Sequence, residues 1–197
     1  MVPVEPSRRP VVLVHGLKDN AKKMARLARH LGKEGRDAHC CDLIPSWGQV
    51  GLESLAEQLR DFVGSSVPPE QPFDLVGFSM GGLVSRYYLQ RLNGLQRVRR
   101  FVTISTPHRG SLLARFVSNP GCRQMRPGSA FLQDLARDEE CLATTRFTSL
   151  WTPLDAMVLP PSSSVVSGAR CRKIWCLAHP LMVWESRCLQ AVTEALD

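Results

Sequence analysis

Five residues, Gly77-Phe78-Ser79-Met80-Gly81, carry the spacing G-x-S-x-G between an apolar run that ends at Gly77 and a helix-forming run that starts at once. A serine on such a strand-to-helix turn is held in an unfavourable backbone conformation. Glycines two before and two after it let neighbouring chain pass without meeting a Cβ. The helix then begins beneath the hydroxyl, where its unpaired N–H groups and positive end favour negative charge. That is the setting of a nucleophile whose attack on a carbonyl creates an oxyanion.

A serine hydroxyl is a poor nucleophile until a base takes its proton, and the base needs a third group to hold its tautomer. Of five histidines, His30 falls within a helix pattern and His39 within a strand pattern, while His15 and His108 follow strands and fit either a structural or a site-lining place. Only His179 lies past the last expected strand and downstream of both the serine and an acid, the chain order of nucleophile, acid and base. Asp155 is the acid of choice because it follows a strand on the edge where Ser79 and His179 also emerge. Asp134, Asp138, Glu139 and Glu140 belong to a polar helical stretch that reads as a solvated face. Charge stabilisation falls to two backbone amides, those of Met80 and of Leu17 in the loop after the first strand. Met157, Val158, Leu159 and Leu181, with Leu17 and Met80, flank these positions and fit an apolar acyl pocket, although each also fits the core.

These residues need a scaffold, and the chain supplies alternating strand and helix patterns. Pro10 to Val14 reads as a strand, and Asp19 or Asn20 caps a helix to about Leu31. Ala38 to Leu43 is a second strand, and Leu52, Leu55, Ala56, Leu59, Phe62 and Val63 mark a second helix ending near Gly64. The serine strand and its helix to about Leu92 follow, then Arg100 to Ile104, Arg146 to Trp151 and Arg170 to Leu177 as strands. A final helix runs from after His179-Pro180 to about Leu196. Strands apolar on both faces argue for an α/β fold with a mostly parallel sheet of about six strands covered by helices. Residues 1–9 form an N-terminal extension and 10–197 a single domain. From about 105 to 142 the period breaks down, either as a cap-like insertion or as a long irregular connection. A short helix starts near Ser111 and ends at Asn119-Pro120-Gly121, and another spans Ser129 to Ala136.

The 197 residues, 44% hydrophobic and 22% charged, suit one compact domain. A net charge of +7 attracts acidic surfaces, but there is no zinc-finger spacing, RNA-binding aromatic signature or basic recognition helix, so nucleic acid is not expected as a partner. No run matches a secretory signal or a transmembrane helix. Seven cysteines without paired C-x-x-C spacing read as reduced, buried thiols of a cytoplasmic protein rather than as a metal site or disulfide framework; whether Cys122 meets Cys141 is open.

Val11-Val12-Leu13-Val14-His15-Gly16, Gly77 to Gly82, Thr103-Ile104-Ser105-Thr106-Pro107-His108-Arg109-Gly110-Ser111 and Pro153-Leu154-Asp155 together resemble the α/β-hydrolase superfamily, and more narrowly small bacterial triacylglycerol lipases and carboxylesterases with little or no lid. The resemblance covers nearly the whole chain from Pro10. It implies a serine hydrolase of small-molecule or lipid esters with Ser79 as nucleophile, Asp155 as acid, His179 as base, Leu17 and Met80 amides as oxyanion hole, and no metal or organic cofactor. Pro180 and the apolar run after it depart from the Gly-rich or polar setting common in relatives. An acyltransferase or thioesterase on the same fold is the first alternative. A non-catalytic protein recruited transiently to acidic lipid surfaces by the arginines around Arg109 to Arg126 is the second.

Overall fold

The computed structural model describes residues 8–197; the first seven residues of the expected extension lie outside the described residues. Six strands form one parallel sheet in the order β2-β1-β3-β4-β5-β6, with β1 Val11–Val14, β2 Ala38–Cys41, β3 Phe73–Phe78, β4 Val98–Ile104, β5 Arg146–Trp151 and β6 Arg170–Lys173. Helices α1 Ala25–Lys33, α2 Leu52–Ser66, α3 Met80–Arg91, α4 Pro120–Gln124, α5 Ala130–Ala136 and α6 Ser186–Ala195 complete the α/β architecture. No helix among the described residues is long and apolar enough to cross a membrane.

Alternation along the strands builds two cores. Val12 and Val14 of β1, with Phe73 and Leu75 of β3, face α2 and α3, whereas Val11, Leu13, Val76 and Phe78 face α1 and α6. This double burial explains the continuous apolar runs of β1 and β3. β6 is the exception: Arg170, Cys171, Arg172 and Lys173 are all exposed, and the charges suit an edge strand that must not pair further. Asn20 caps the first helical turn as expected, its side chain accepting from the Lys22 N–H at 3.0 Å.

Four local expectations need correction. Pro120 opens α4 instead of ending a helix, because its fixed φ suits a first helical turn; only a 3₁₀ turn, Leu112–Phe116, precedes it. β6 stops at Lys173, four residues short of the expected strand. The last segment is a 3₁₀ turn, His179–Leu181, followed by α6, so the final helix starts later than its apolar residues suggest. Asp134 and Asp138 are more than a solvated face: although 38% and 41% exposed, they also grip Arg91 at 2.9 and 2.7 Å and tie α5 and the turn after it to α3.

The chain crosses from one side of β1 to the other between β2 and β3, so the carboxyl ends of β1 and β3 border a crevice at the switch in strand order. Leu17 follows β1 there and Ser79 follows β3.

Candidate active site

Ser79 is the N-cap of α3 and sits at φ 54°, ψ −122°, a conformation that a side chain rarely adopts. Its N–H donates to the Ile104 carbonyl at 2.8 Å and its carbonyl accepts from Gly82 at 3.0 Å, so the strained turn is held from both sides. The flanking glycines are required by close approach. A Cβ on Gly81 would lie 2.3 Å from the His15 carbonyl oxygen, and one on Gly77 would lie 2.6 Å from the Gly82 Cα. Neither the Met80 nor the Leu17 N–H has a hydrogen-bond acceptor among the described residues. Met80 is the first residue of α3, where backbone donors are unpaired by construction.

Asp155 and His179 meet on the same edge of the sheet. His179 Nδ1 lies 2.7 Å from Asp155 Oδ2, and Asp155 Oδ1 accepts from the Met157 and Val158 amides at 2.9 and 2.8 Å. Burial pushes the Asp155 carboxyl up, but the hydrogen bond to His179, that ring's charge and the two amides outweigh it and hold the pKa below the ordinary aspartate value. With Oδ2 as acceptor, Nδ1 carries the proton and Nε2 is left as a lone-pair nitrogen. The loops bearing the two residues are tied to each other through Thr152, whose hydroxyl donates to the Cys176 carbonyl at 2.7 Å. Phe78 packs on the imidazole with ring centroids 4.9 Å apart, fixing the ring beside the residue before Ser79.

Ser79 and His179 border one cavity of about 420 Å³, and neither Ser79 Oγ nor His179 Nε2 makes a hydrogen bond among the described residues, to each other or to any other group. Leu17, Met157 and Val158 line this cavity as expected, whereas Leu159, Leu181 and the fully buried Met80 side chain do not. Leu159 is turned into the connection by its backbone, which bonds Ser111 Oγ and the Leu112 N–H, and Leu181 lies half-exposed on the turn after His179. The opposite wall comes from the segment between β4 and β5, through Leu113, Ala114, Val117, Cys122 and Met125. Ser111 fastens that wall to the Asp155 loop, donating to the Met157 carbonyl at 2.8 Å. Trp47, from the loop after β2, closes one side; neither it nor the wall residues have a sequence pattern that marks them. Cys122 is a free thiol, as is Cys141, and burial pushes its pKa up, so it stays protonated in the cavity wall.

His15 and His108 fall outside the cavity lining, and both are buried and bonded. His15 Nε2 accepts from the Leu43 N–H at 2.9 Å, leaving Nδ1 to donate to the Gly16 carbonyl, so the ring fixes the loop after β1. His108 receives Arg86 at Nδ1 and donates from Nε2 to Thr103, which donates to Ser149, which donates to the Ser164 carbonyl. Arg86, 2% exposed within α3, also donates to the Leu135 carbonyl at 2.8 Å. A helix periodicity gives no hint of this buried cation.

Comparison with known proteins extends the same reading. The chain is 30% identical over 116 residues to a lysosomal thioesterase PPT2 homolog of Drosophila melanogaster, spanning 55% of this chain and 39% of that protein. It is 33% identical over 122 residues to a triacylglycerol lipase of Pseudarthrobacter phenanthrenivorans, spanning 57% of this chain and 37% of that one. The chain thus spans about two fifths of the length of the curated relatives it matches. The mature form of Bacillus licheniformis lipase BlEst2 superposes with a TM-score of 0.79 over 98% of this chain and 93% of that one, at 20% identity, a likeness of fold. Residues 10–144 match the palmitoyl protein thioesterase family, and with more than half of its length so matched the chain belongs to that family, on a lipase-like α/β-hydrolase fold.

Proposed function

We propose that the protein is a serine hydrolase that cleaves carboxylic esters of apolar acyl groups through an acyl-enzyme on Ser79. The observation that carries the reading is the Asp155–His179 pair, whose unoccupied Nε2 borders the same apolar cavity as the strained serine. In this reading substrate binding brings Ser79 Oγ within reach of Nε2, since such contacts are often loose before a substrate is present. His179 takes the Ser79 proton as Oγ attacks the acyl carbonyl, and Asp155 holds the ring and stabilises the imidazolium. The oxyanion is received by the Leu17 and Met80 amides, which have no competing acceptor among the described residues. The tetrahedral adduct collapses, His179 returns the proton to the leaving group, and water activated by the same nitrogen frees the acid.

The leaving atom is the ester oxygen in this reading, with a thioester sulfur as the second reading. The lipase relative fits an alkoxide leaving group and the family match and thioesterase relative fit a thiolate, and both pass through the same adduct. The cavity walls, with Leu113, Val117, Met125 and Val158, suit a hydrocarbon chain, each methylene of which contributes about 0.8 kcal/mol when buried. The test is hydrolysis of a graded series of p-nitrophenyl esters and of matched acyl thioesters by wild type and Ser79→Ala, with fluorophosphonate labelling located by mass spectrometry. Labelling at Ser79, turnover lost in the variant and kcat/KM rising with chain length are expected. An unlabelled Ser79 with equal turnover by both proteins overturns the reading, and the ester-to-thioester ratio decides the leaving group.

A further inference from the structure

At the other end of the sheet, Arg9, Arg99, Arg100 and Arg146 line a second cavity of about 450 Å³, with Pro72 and Thr144 on its wall. The sheet itself forces this crowding. Arg100 of β4 is in register with Arg146 of β5, and like charges placed opposite each other on neighbouring strands repel. The carboxylates nearby do not balance them. Asp74 of β3, fully buried, is shared by Arg9 at 3.0 Å, Arg36 at 3.5 Å and Arg100 at 3.7 Å. Asp197 takes Arg36 through its side chain at 2.7 Å and Arg100 through its backbone oxygen at 2.5 Å. Arg99 and Arg146 have no ion pair or hydrogen bond among the described residues, and the buried Nε of Arg100 has no partner.

We propose that this cleft is a binding site for a phosphate-bearing anion of two or more negative charges, distinct from the serine cavity. Guanidinium groups match phosphate oxygens two at a time, and a concave basic wall concentrates the field that attracts them. A bound polyanion would give Arg99 and Arg146 the counter-charge that no carboxylate among the described residues gives them, and would ease the repulsion between Arg100 and Arg146 beyond what Asp74 does for Arg100 alone. The cleft lies toward the amino ends of strands whose carboxyl ends hold Ser79: Asp74, in register with Arg100, is five residues before Ser79, about 17 Å along β3 at about 3.3 Å per residue. Occupancy is therefore independent of hydrolysis, and either reading can fail without the other.

The test uses inorganic pyrophosphate as probe, followed by calorimetry and thermal melting at low ionic strength. Three proteins are compared: wild type, Arg99→Gln/Arg146→Gln, and Arg26→Gln/Arg29→Gln, which removes the same charge from the exposed face of α1. Pyrophosphate is expected to bind wild type and raise its Tm. The cleft pair should weaken binding at least about tenfold while the α1 pair binds like wild type, with ester turnover equal in all three. Co-sedimentation with phosphatidylcholine vesicles, with and without a phosphoinositide, identifies the source. Cleft-dependent capture by the phosphoinositide assigns a lipid headgroup, and pyrophosphate binding without capture assigns a soluble phosphate. No pyrophosphate binding by wild type, or equal loss in both double variants, overturns the proposal, because binding would then be absent or a property of diffuse charge.

Discussion

Asp155 and His179, 24 residues apart in sequence, stand 2.7 Å apart with both side chains almost fully buried. The second carboxylate oxygen is saturated by two amides of its own loop, so Asp155 has one acceptor left and one direction in which to present it. The imidazole is thereby fixed in tautomer and orientation before any substrate arrives.

Asp155→Asn keeps the size of the side chain but removes the charge and offers an N–H where an acceptor is needed. kcat is expected to fall by about 10³–10⁴-fold with KM little changed. The variant should also alter acid stability. The folded pKa of Asp155 is lowered, so its contribution is complete above the unfolded value of about 3.9 and is lost as pH falls through the folded value. Chemical denaturation between neutral and strongly acidic pH should therefore have a shallower acid limb in the variant. An identical limb would show that the pair does not stabilise the fold.

Ser79 separates stability from activity. Its φ of 54° costs an L side chain about 1–3 kcal/mol, a cost that glycine does not bear. Ser79→Gly should unfold at a higher temperature than wild type while losing ester turnover, and calorimetry beside an activity assay checks both. A lower Tm would count against strain at the turn.

Gly82, in the first turn of α3, should be far less tolerant of a side chain than a glycine elsewhere in a helix. A Cβ on Gly82 would lie 2.0 Å from Thr106 Oγ1 and 2.8 Å from the Thr106 Cβ, whereas one on Gly32 of α1 meets nothing within 4 Å. Gly82→Ala is expected to destabilise by about 3 kcal/mol or more through overpacking, and Gly32→Ala to stabilise by roughly 0.5–1 kcal/mol through helix propensity. Opposite shifts in urea midpoint are the check.

His108 should make stability pH-dependent in a window that Asp155 does not reach. Burial, then the charges of Arg86 and Arg109, hold its pKa well below the ordinary histidine value. Between that lowered value and about 6.5 the unfolded chain binds a proton that the folded chain does not, so stability falls as pH drops, by up to about 1.4 kcal/mol per pH unit. His108→Gln should flatten this slope and cost about 1–3 kcal/mol at neutral pH, because Arg86 and Thr103 lose their shared partner. Urea titrations at a series of pH values from neutral down to about 5 measure it. An unchanged slope would place the linkage on other groups.

Local chemistry made much of the scaffold readable from sequence. The β1 and β3 runs are buried on both faces, Asn20 caps its helix, and Gly77 and Gly81 stand where backbone passes too close for a side chain. The positive φ at Ser79 belongs to the same class, since a tight strand-to-helix turn admits few conformations. Chain order also singled out Asp155 and His179, and the fold brings them together.

What depended on distant partners was not readable. Leu159 and Leu181 have the right type and place in sequence for the cavity, yet backbone bonds and turn direction take them off its wall, while Trp47, Cys122 and Met125 enter it from loops without periodicity. Asp134 and Asp138 look solvated until Arg91 is folded against them, and Arg86 looks like an ordinary helix-surface cation until α5 and His108 bury it. The parallel α/β scaffold and the turn that strains Ser79 follow from local chemistry, because periodicity and steric exclusion act over a few residues. The cavity wall, the Arg86–His108 hydrogen bond and the arginine cleft arise only on folding, because register and packing choose partners that are remote along the chain.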